Sequence, residues 1–213
     1  EMYKFFMVYF VQKYVNPEFM GQDAVFVHLF EKYINTGQTD FFTEQYKEFM
    51  TKRAYSLMAN LIGRPAANLE MVDSTDKPTP LYNIKSDMIV VCFWDPTCSH
   101  CKEVVPRLDS IYHARWKNQG VALYGVMTDG GKESWIKFIQ DRNLKDWVHV
   151  YQLPSKEVED NAAGRPSYKQ LYDVYQTPLL YLLDKDKRIV AKKLSFEQLN
   201  EVIDLKLKKS PSN

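Results

Sequence analysis

The chain has 213 residues, 45% of them hydrophobic, and 28 basic residues stand against 27 acidic ones. Such a balance gives no electrostatic ground for nucleic-acid binding or for adhesion to an anionic membrane, and no apolar run approaches the roughly 20 residues of a membrane-spanning helix. The length allows one ordinary domain and a smaller one.

The first sixty residues read as helices. Tyr3, Phe6, Met7, Phe10, Val11 and Tyr14 recur at helical spacing. Asn16-Pro17 ends that run and is expected to start the next, with Asn as cap and Pro at the first helical position. Phe26, Leu29, Phe30, Tyr33 and Ile34 repeat the spacing up to Gly37, a natural stop. A third run from about Asp40 carries Phe42, Tyr46, Phe49, Met50, Leu57 and Leu61. The aromatic stripes read as core or interface. Gly63-Arg64-Pro65 breaks the pattern and marks the boundary between residues 1–62 and 63–213.

Beyond the boundary, the polar stretch Asp73 to Pro80 reads as a loop and Met88 to Trp94 as a buried strand. The next helix carries Val104, Val105, Leu108, Ile111 and Tyr112, with Pro106 inside it as a kink. Val121 to Met127 is a second strand, ending in Asp129-Gly130-Gly131. Trp135, Phe138 and Ile139 mark a helix, and Trp147 to Tyr151 a short strand. Leu153 to Ser167, polar with two prolines, reads as a surface excursion, and Tyr168 to Tyr175 as a short helix. Leu179 to Leu183 and Arg188 to Lys192 flank Asp184-Lys185-Asp186-Lys187 as a hairpin. Phe196, Leu199, Val202 and Ile203 complete a final helix, whose Lys206, Lys208 and Lys209 read as a solvated end. Alternating strands and helices followed by a hairpin predict an α/β domain with a mixed sheet.

The chemistry concentrates at Trp94-Asp95-Pro96-Thr97-Cys98-Ser99-His100-Cys101. A strand, a tight turn and C-x-x-C at a helix start is the arrangement of a thiol–disulfide redox site. It sets Cys98 at the helix N-terminus, where free N–H groups and the helix dipole favour a thiolate. Cys98 then reads as nucleophile and Cys101 as resolving thiol. Zinc ligation is the alternative for such a pair, but there is neither a second C-x-x-C nor paired histidines. The third cysteine, Cys92, reads as an inert core thiol. Three cysteines form no disulfide framework and leave the compartment open. Phe5 to Val11 is too short and too aromatic for a signal-peptide core. An opening at Glu1 rather than Met is the expectation for a processed or truncated chain that has lost a targeting segment.

These residues resemble the thioredoxin superfamily, in particular the TlpA-like thiol–disulfide oxidoreductases of bacterial envelopes. Phe93-Trp94 precedes the C-x-x-C, Pro106 stands five residues after Cys101, and Thr177-Pro178 precedes an apolar strand like the family's cis-proline loop. Gly63-Arg64-Pro65-Ala66 is similar to the entry of this group. The 80-residue interval from Cys98 to Pro178 matches the branch, shared with peroxiredoxins, that inserts an extra strand and helix. The likeness covers about residues 63–205. The form Trp-Asp-Pro-x-Cys-x-His-Cys resembles TlpA-like proteins of gut-type Gram-negative bacteria, which often carry a helical N-terminal domain, as residues 1–62 would be.

The resemblance implies a thioredoxin-like fold, a central mixed sheet flanked by helices, behind a small helical segment that is a fragment of a larger one. It implies His100 as a residue that stabilises the Cys98 thiolate. A cis Pro178 would, with Thr177, offer a backbone edge to an extended substrate and keep metals off the dithiol. Trp94 reads as core and partial shield packed beneath the turn, and is counted with the substrate-binding residues. No cofactor is implied beyond the redox-active Cys98–Cys101 disulfide. The implied partners are protein thiols and disulfides and a membrane electron donor of the DsbD type, in the periplasm or cell envelope. Two departures stand out. Cys92 occupies the place of thioredoxin's buried acid, and Val104 that of a glutamate found in many TlpA-like proteins, leaving Asp95 or Glu103 as proton acceptor for Cys101. Two rival readings are a peroxiredoxin-like peroxidase, which would want a threonine where Asp95 stands, and a partner-binding module on a thioredoxin-like platform.

Overall fold

The computed structural model describes residues 1–209; residues 210–213 and the Lys209 side chain of the expected basic end lie outside the described residues. Three helices come first: α1 (Met2–Tyr14), α2 (Asp23–Leu29) and α3 (Glu44–Met58). Thr43 caps α3 by accepting the Tyr46 N–H, which satisfies one of the orphan donors at a helix start. Their apolar stripes meet in a core of their own, built on Val11, Phe26, Phe30, Met50, Ala54 and Leu57. The second helix departs from expectation. It starts at Asp23 rather than at Pro17, and its last turn, Phe30–Ile34, widens to π geometry, closed by the Asn35 N–H on the Phe30 carbonyl at 2.8 Å.

The remainder is a five-stranded mixed sheet with helices on it. In chain order it comprises β1 (Met88–Trp94), α4 (Ser99–Ala114), β2 (Val121–Met127), α5 (Lys132–Asp141) and β3 (Val148–Tyr151). Then come α6 (Pro154–Ala162), α7 (Tyr168–Leu171), β4 (Leu179–Asp184), β5 (Ile189–Lys192) and α8 (Phe196–Lys209). The spatial order is β3-β2-β1-β4-β5, with the first three strands parallel and β4 and β5 antiparallel. Every residue of β1 is buried, as a central strand covered on both faces requires. Val90, Cys92 and Trp94 pack with Val105 and Leu108 of α4 and Leu199 and Ile203 of α8. Ile89, Val91 and Phe93 face Leu69, Met71, Leu81 and Tyr172 on the other side.

Residues 153–167 form no plain loop, because Pro154 sits in the first turn of α6, where its missing N–H costs nothing. That helix buries no residue, so no apolar periodicity announces it.

The helical segment is fastened to the sheet by buried polar contacts. Lys192 on β5 reaches the Asp23 carboxylate and the Asn60 carbonyl, the latter at 2.6 Å. Asn60 Nδ2 donates to the Leu171 carbonyl at 2.9 Å, and Ser56 Oγ to that of Gln170 at 2.6 Å. Arg53 on α3 and Lys193 beyond β5 both pair with the buried Asp173. Gly63 N–H donates to the Ile189 carbonyl at 2.8 Å, so the expected boundary residue is itself tied to the sheet.

Candidate active site

The β1 strand ends at Trp94, and the chain turns at once over the carboxyl edge of the sheet. Asp95 Oδ1 accepts the Thr97 N–H and hydroxyl, each at 2.7 Å, an Asx turn that sets the entry to α4. The Cys98 N–H donates to the Asp95 carbonyl at 3.2 Å. Gly130, at φ +89°, passes so close that a Cβ there would lie 2.5 Å from Asp95 Oδ1. Only a residue without a Cβ allows both that conformation and that approach.

Cys98 occupies the N-cap position of α4, with extended backbone before the first helical turn. The Cys101 main-chain N–H, and with it that of His100, favours the sulfur anion and holds the Cys98 thiol below the ordinary range despite partial burial. Its Sγ lies 3.5 Å from the Thr177 carbonyl. Cys101 differs on every count. It is fully buried, its Sγ accepts the Asp95 N–H at 3.4 Å, and burial pushes its thiol up to about 12. The two sulfurs thus differ: the surroundings favour the anion at Cys98 and the neutral thiol at Cys101.

The Thr177–Pro178 peptide is cis and stands between α7 and β4. The loop thus brings the Thr177 carbonyl against Cys98, with the cis Pro178 directly after it.

Two of the expected roles change. The His100 side chain is 68% exposed and its Nδ1 lies 3.8 Å from Glu103 Oε2. Its main-chain N–H, rather than its imidazole, serves Cys98. Trp94 is fully buried against Phe138 and His149, with ring centroids at 5.2 and 6.3 Å. It presents no surface to a substrate, so its substrate-binding assignment is corrected, while its expected place as core beneath the turn stands. Neither expected proton acceptor reaches Cys101 through its carboxylate: Asp95 turns its own to Thr97, and Glu103 is exposed beside His100. The Thr97 hydroxyl is likewise spent on Asp95.

Cys92 is buried and its thiol is held well above the usual range by burial, then by Cys101. Its neighbours across the sheet are Gly125 and Leu180, and Gly125 in turn faces His149. A Cβ on Gly125 would press to 3.1 Å on Trp94 Nε1 and 3.3 Å on His149 Nδ1. Sequence reasoning missed His149, whose ring stacks on Trp147 at 5.3 Å and whose Nε2 contacts the Leu144 carbonyl at 2.7 Å. A single histidine in an apolar strand gives no signal of such packing.

A family model described as thioredoxin-like matches residues 86–189. A solved domain of a possible thiol-disulfide isomerase from Cytophaga hutchinsonii is 30% identical, with a TM-score of 0.59, and the match covers 70% of this chain and 94% of that one. The chain belongs to the thioredoxin superfamily. The thioredoxin domain of a thiol-disulfide oxidoreductase from Bacteroides vulgatus is 27% identical at a TM-score of 0.58, covering 68% of this chain and 97% of that one. A thioredoxin-like protein from Bacteroides caccae, 21% identical, superposes with a TM-score of 0.65 over 84% of this chain and 68% of its own. That last match extends the shared fold past the thioredoxin-like part into the helical segment. No curated protein matches the chain.

Proposed function

We propose that the chain is a thiol–disulfide oxidoreductase of TlpA-like type, exchanging protein disulfides through Cys98 and Cys101. The observation that carries this reading is the asymmetry of the two sulfurs. Cys98 is lowered by main-chain N–H groups at the head of α4, and Cys101 is raised by burial one turn behind it. The solved relatives described as a possible thiol-disulfide isomerase and a thiol-disulfide oxidoreductase support the same chemistry.

In the reducing direction the Cys98 thiolate attacks one sulfur of a substrate disulfide. The substrate S–S bond breaks, a mixed disulfide forms on Cys98, and the other substrate sulfur leaves as a thiolate that takes up a proton. Cys98 contributes to keeping the Cys101 proton on, so its conversion to a neutral mixed disulfide eases loss of that proton. The Cys101 thiolate then attacks Cys98 Sγ and expels the second substrate thiolate. Two electrons and two protons pass to the substrate and the Cys98–Cys101 disulfide closes. The oxidising direction reverses each step. The electrons stay on sulfur throughout, so no further cofactor takes part.

The main-chain edge at Thr177 and Pro178 is assigned to the extended substrate. His100 serves the nucleophile through its N–H. The setting is the bacterial periplasm or cell envelope, with a membrane donor of the DsbD type to restore the dithiol. Among the described residues no helix is long and apolar enough to cross a membrane.

Replacing Cys98 with Ser abolishes dithiothreitol-driven reduction of insulin, whereas Cys101→Ser traps a mixed disulfide on Cys98. Insulin reduction retained in Cys98→Ser would overturn the reading.

A further inference from the structure

One side of α3 holds the end of α7 and the loop that follows it. Arg53 and Ser56 lie on α3 and Asn60 just past its end, spaced by three and four residues so that they share a face. Their partners are also neighbours in the chain. Ser56 Oγ donates to the Gln170 carbonyl at 2.6 Å and Asn60 Nδ2 to the Leu171 carbonyl at 2.9 Å, which satisfies carbonyls at the end of a helix. Arg53 pairs with the buried Asp173, and its Nε donates to the Val15 carbonyl at 2.9 Å, so the end of α1 braces it. Asp173 stands at φ +54°, a left-handed conformation that a residue with a Cβ seldom adopts without support.

From the sheet, the Tyr181 hydroxyl donates to the Tyr172 carbonyl at 2.5 Å and Lys193 pairs with Asp173, so residues 170–173 are gripped from both parts of the chain. Three residues, Val174 to Gln176, separate this grip from Thr177. Thr177 then meets the nucleophile: its carbonyl stands 3.5 Å from Cys98 Sγ, and its side chain favours the Cys98 anion. A thiol–carbonyl contact is weak, so the side chain sets the sign of the Thr177 effect. The groups that act on the Cys98 thiol are Cys101, Thr177 and His100. None belongs to the helical segment, so Arg53 reaches the sulfur only through the loop. Such supporting contacts decide how closely a reactive group is held to its working position.

We propose that Arg53, Ser56 and Asn60 are positioning residues for the redox reaction: through residues 170–173 they hold Thr177 at Cys98. The helical segment thereby sets the reactivity of a sulfur that it does not touch. The inference rests on the thiol–disulfide reading above and gives the helical segment a part in it.

The test reads two quantities on the full chain: the pH midpoint of Cys98 alkylation by iodoacetamide, and the balance of dithiol and disulfide forms in glutathione buffers. In that balance the two protein thiols pass two electrons and two protons to oxidised glutathione, which leaves as two reduced molecules. Ser56→Ala and Arg53→Met should raise the midpoint and slow alkylation below it roughly threefold, as expected for the partial loss of one hydrogen bond to the thiolate. A less stable thiolate also shifts the balance toward the disulfide, again roughly threefold. Arg53→Lys, which keeps a cation on Asp173, should restore both readings. Thr43→Ala removes the cap at the opposite end of α3 and should lower stability to urea without moving either reading. Unmoved readings in folded Ser56→Ala, or an equal shift in Thr43→Ala, overturn the proposal and leave the redox reading standing. A parent chain that forms no Cys98–Cys101 disulfide overturns both.

Discussion

Cys98 and Thr177 lie 79 residues apart in sequence, yet the Cys98 Sγ sits 3.5 Å from the Thr177 carbonyl. The contact exists because β1 and β4 are hydrogen-bonded neighbours at the centre of the sheet, Phe93 opposite Leu179. The redox turn leaves from the end of one strand and the cis-proline loop enters the start of the other. Sheet register thus places the Cys98 sulfur beside the cis-proline loop.

The first prediction concerns the nucleophile. The Cys101 and His100 N–H groups hold Cys98 below an ordinary thiol, and alkylation requires the thiolate. The rate of Cys98 modification by iodoacetamide should therefore rise with pH and level off with a midpoint below that of free cysteine. In Cys101→Ser the same midpoint is read without a second reactive thiol. A midpoint at or above the free-cysteine value contradicts the assignment.

The second prediction concerns Gly130. Any side chain there meets Asp95 Oδ1 and occupies a left-handed backbone. Gly130→Ala should cost roughly 1–3 kcal/mol of stability and, by displacing the Asp95 carboxylate from Thr97, slow Cys98 alkylation. Urea denaturation and the alkylation rate read the two effects separately. An unchanged rate would mean that the turn does not depend on this approach.

Much of this arrangement is legible in the sequence, and the reasons are local. Met88–Trp94 and Val121–Met127 are unbroken apolar runs between breakers, so their bounds coincide with the observed strands. Cys98, Cys101, Thr177 and Pro178 stand in a recognisable pattern, and the fold brings them together. What escapes is tertiary. Asp23 starts its helix and is buried against Lys192, 169 residues away, so the Asn16-Pro17 signal ahead of it loses to a distant contact. Helix α6 buries nothing and leaves no hydrophobic trace. Trp94 next to the motif reads both as core and as a substrate residue, and its packing against Phe138 and His149 leaves only the first.

The third prediction concerns that contact between the helical segment and the sheet. Lys192→Met leaves the buried Asp23 carboxylate without its cation, and breaking one side of such a pair costs about 3–5 kcal/mol. The double variant Lys192→Met, Asp23→Leu should recover much of the loss, because no charge is then stranded. Urea denaturation of the two single variants and the double variant completes the cycle. Additive losses would show that the two residues do not act as a pair.

The fourth prediction concerns pH. Burial pushes the His149 pKa from 6.5 to about 4, so between those values the unfolded chain binds a proton that the folded chain does not. Stability from this residue is fully present above the unfolded value and is lost as pH falls through both, to a total of roughly 3 kcal/mol. Denaturation from about pH 7.5 to about pH 4.5 should show this slope, and His149→Phe should flatten it. An identical slope in both proteins would assign the pH dependence elsewhere.

The most direct test of the central claim is a redox titration of the whole chain in glutathione buffers, quenched by alkylation and read by mass at each cysteine. The account predicts one two-electron transition, about 30 mV per tenfold change, in which Cys98 and Cys101 become protected together. Cys92 remains a thiol throughout and is alkylated only after unfolding. A titration in which no Cys98–Cys101 disulfide forms, or in which Cys92 takes the place of either, would contradict it.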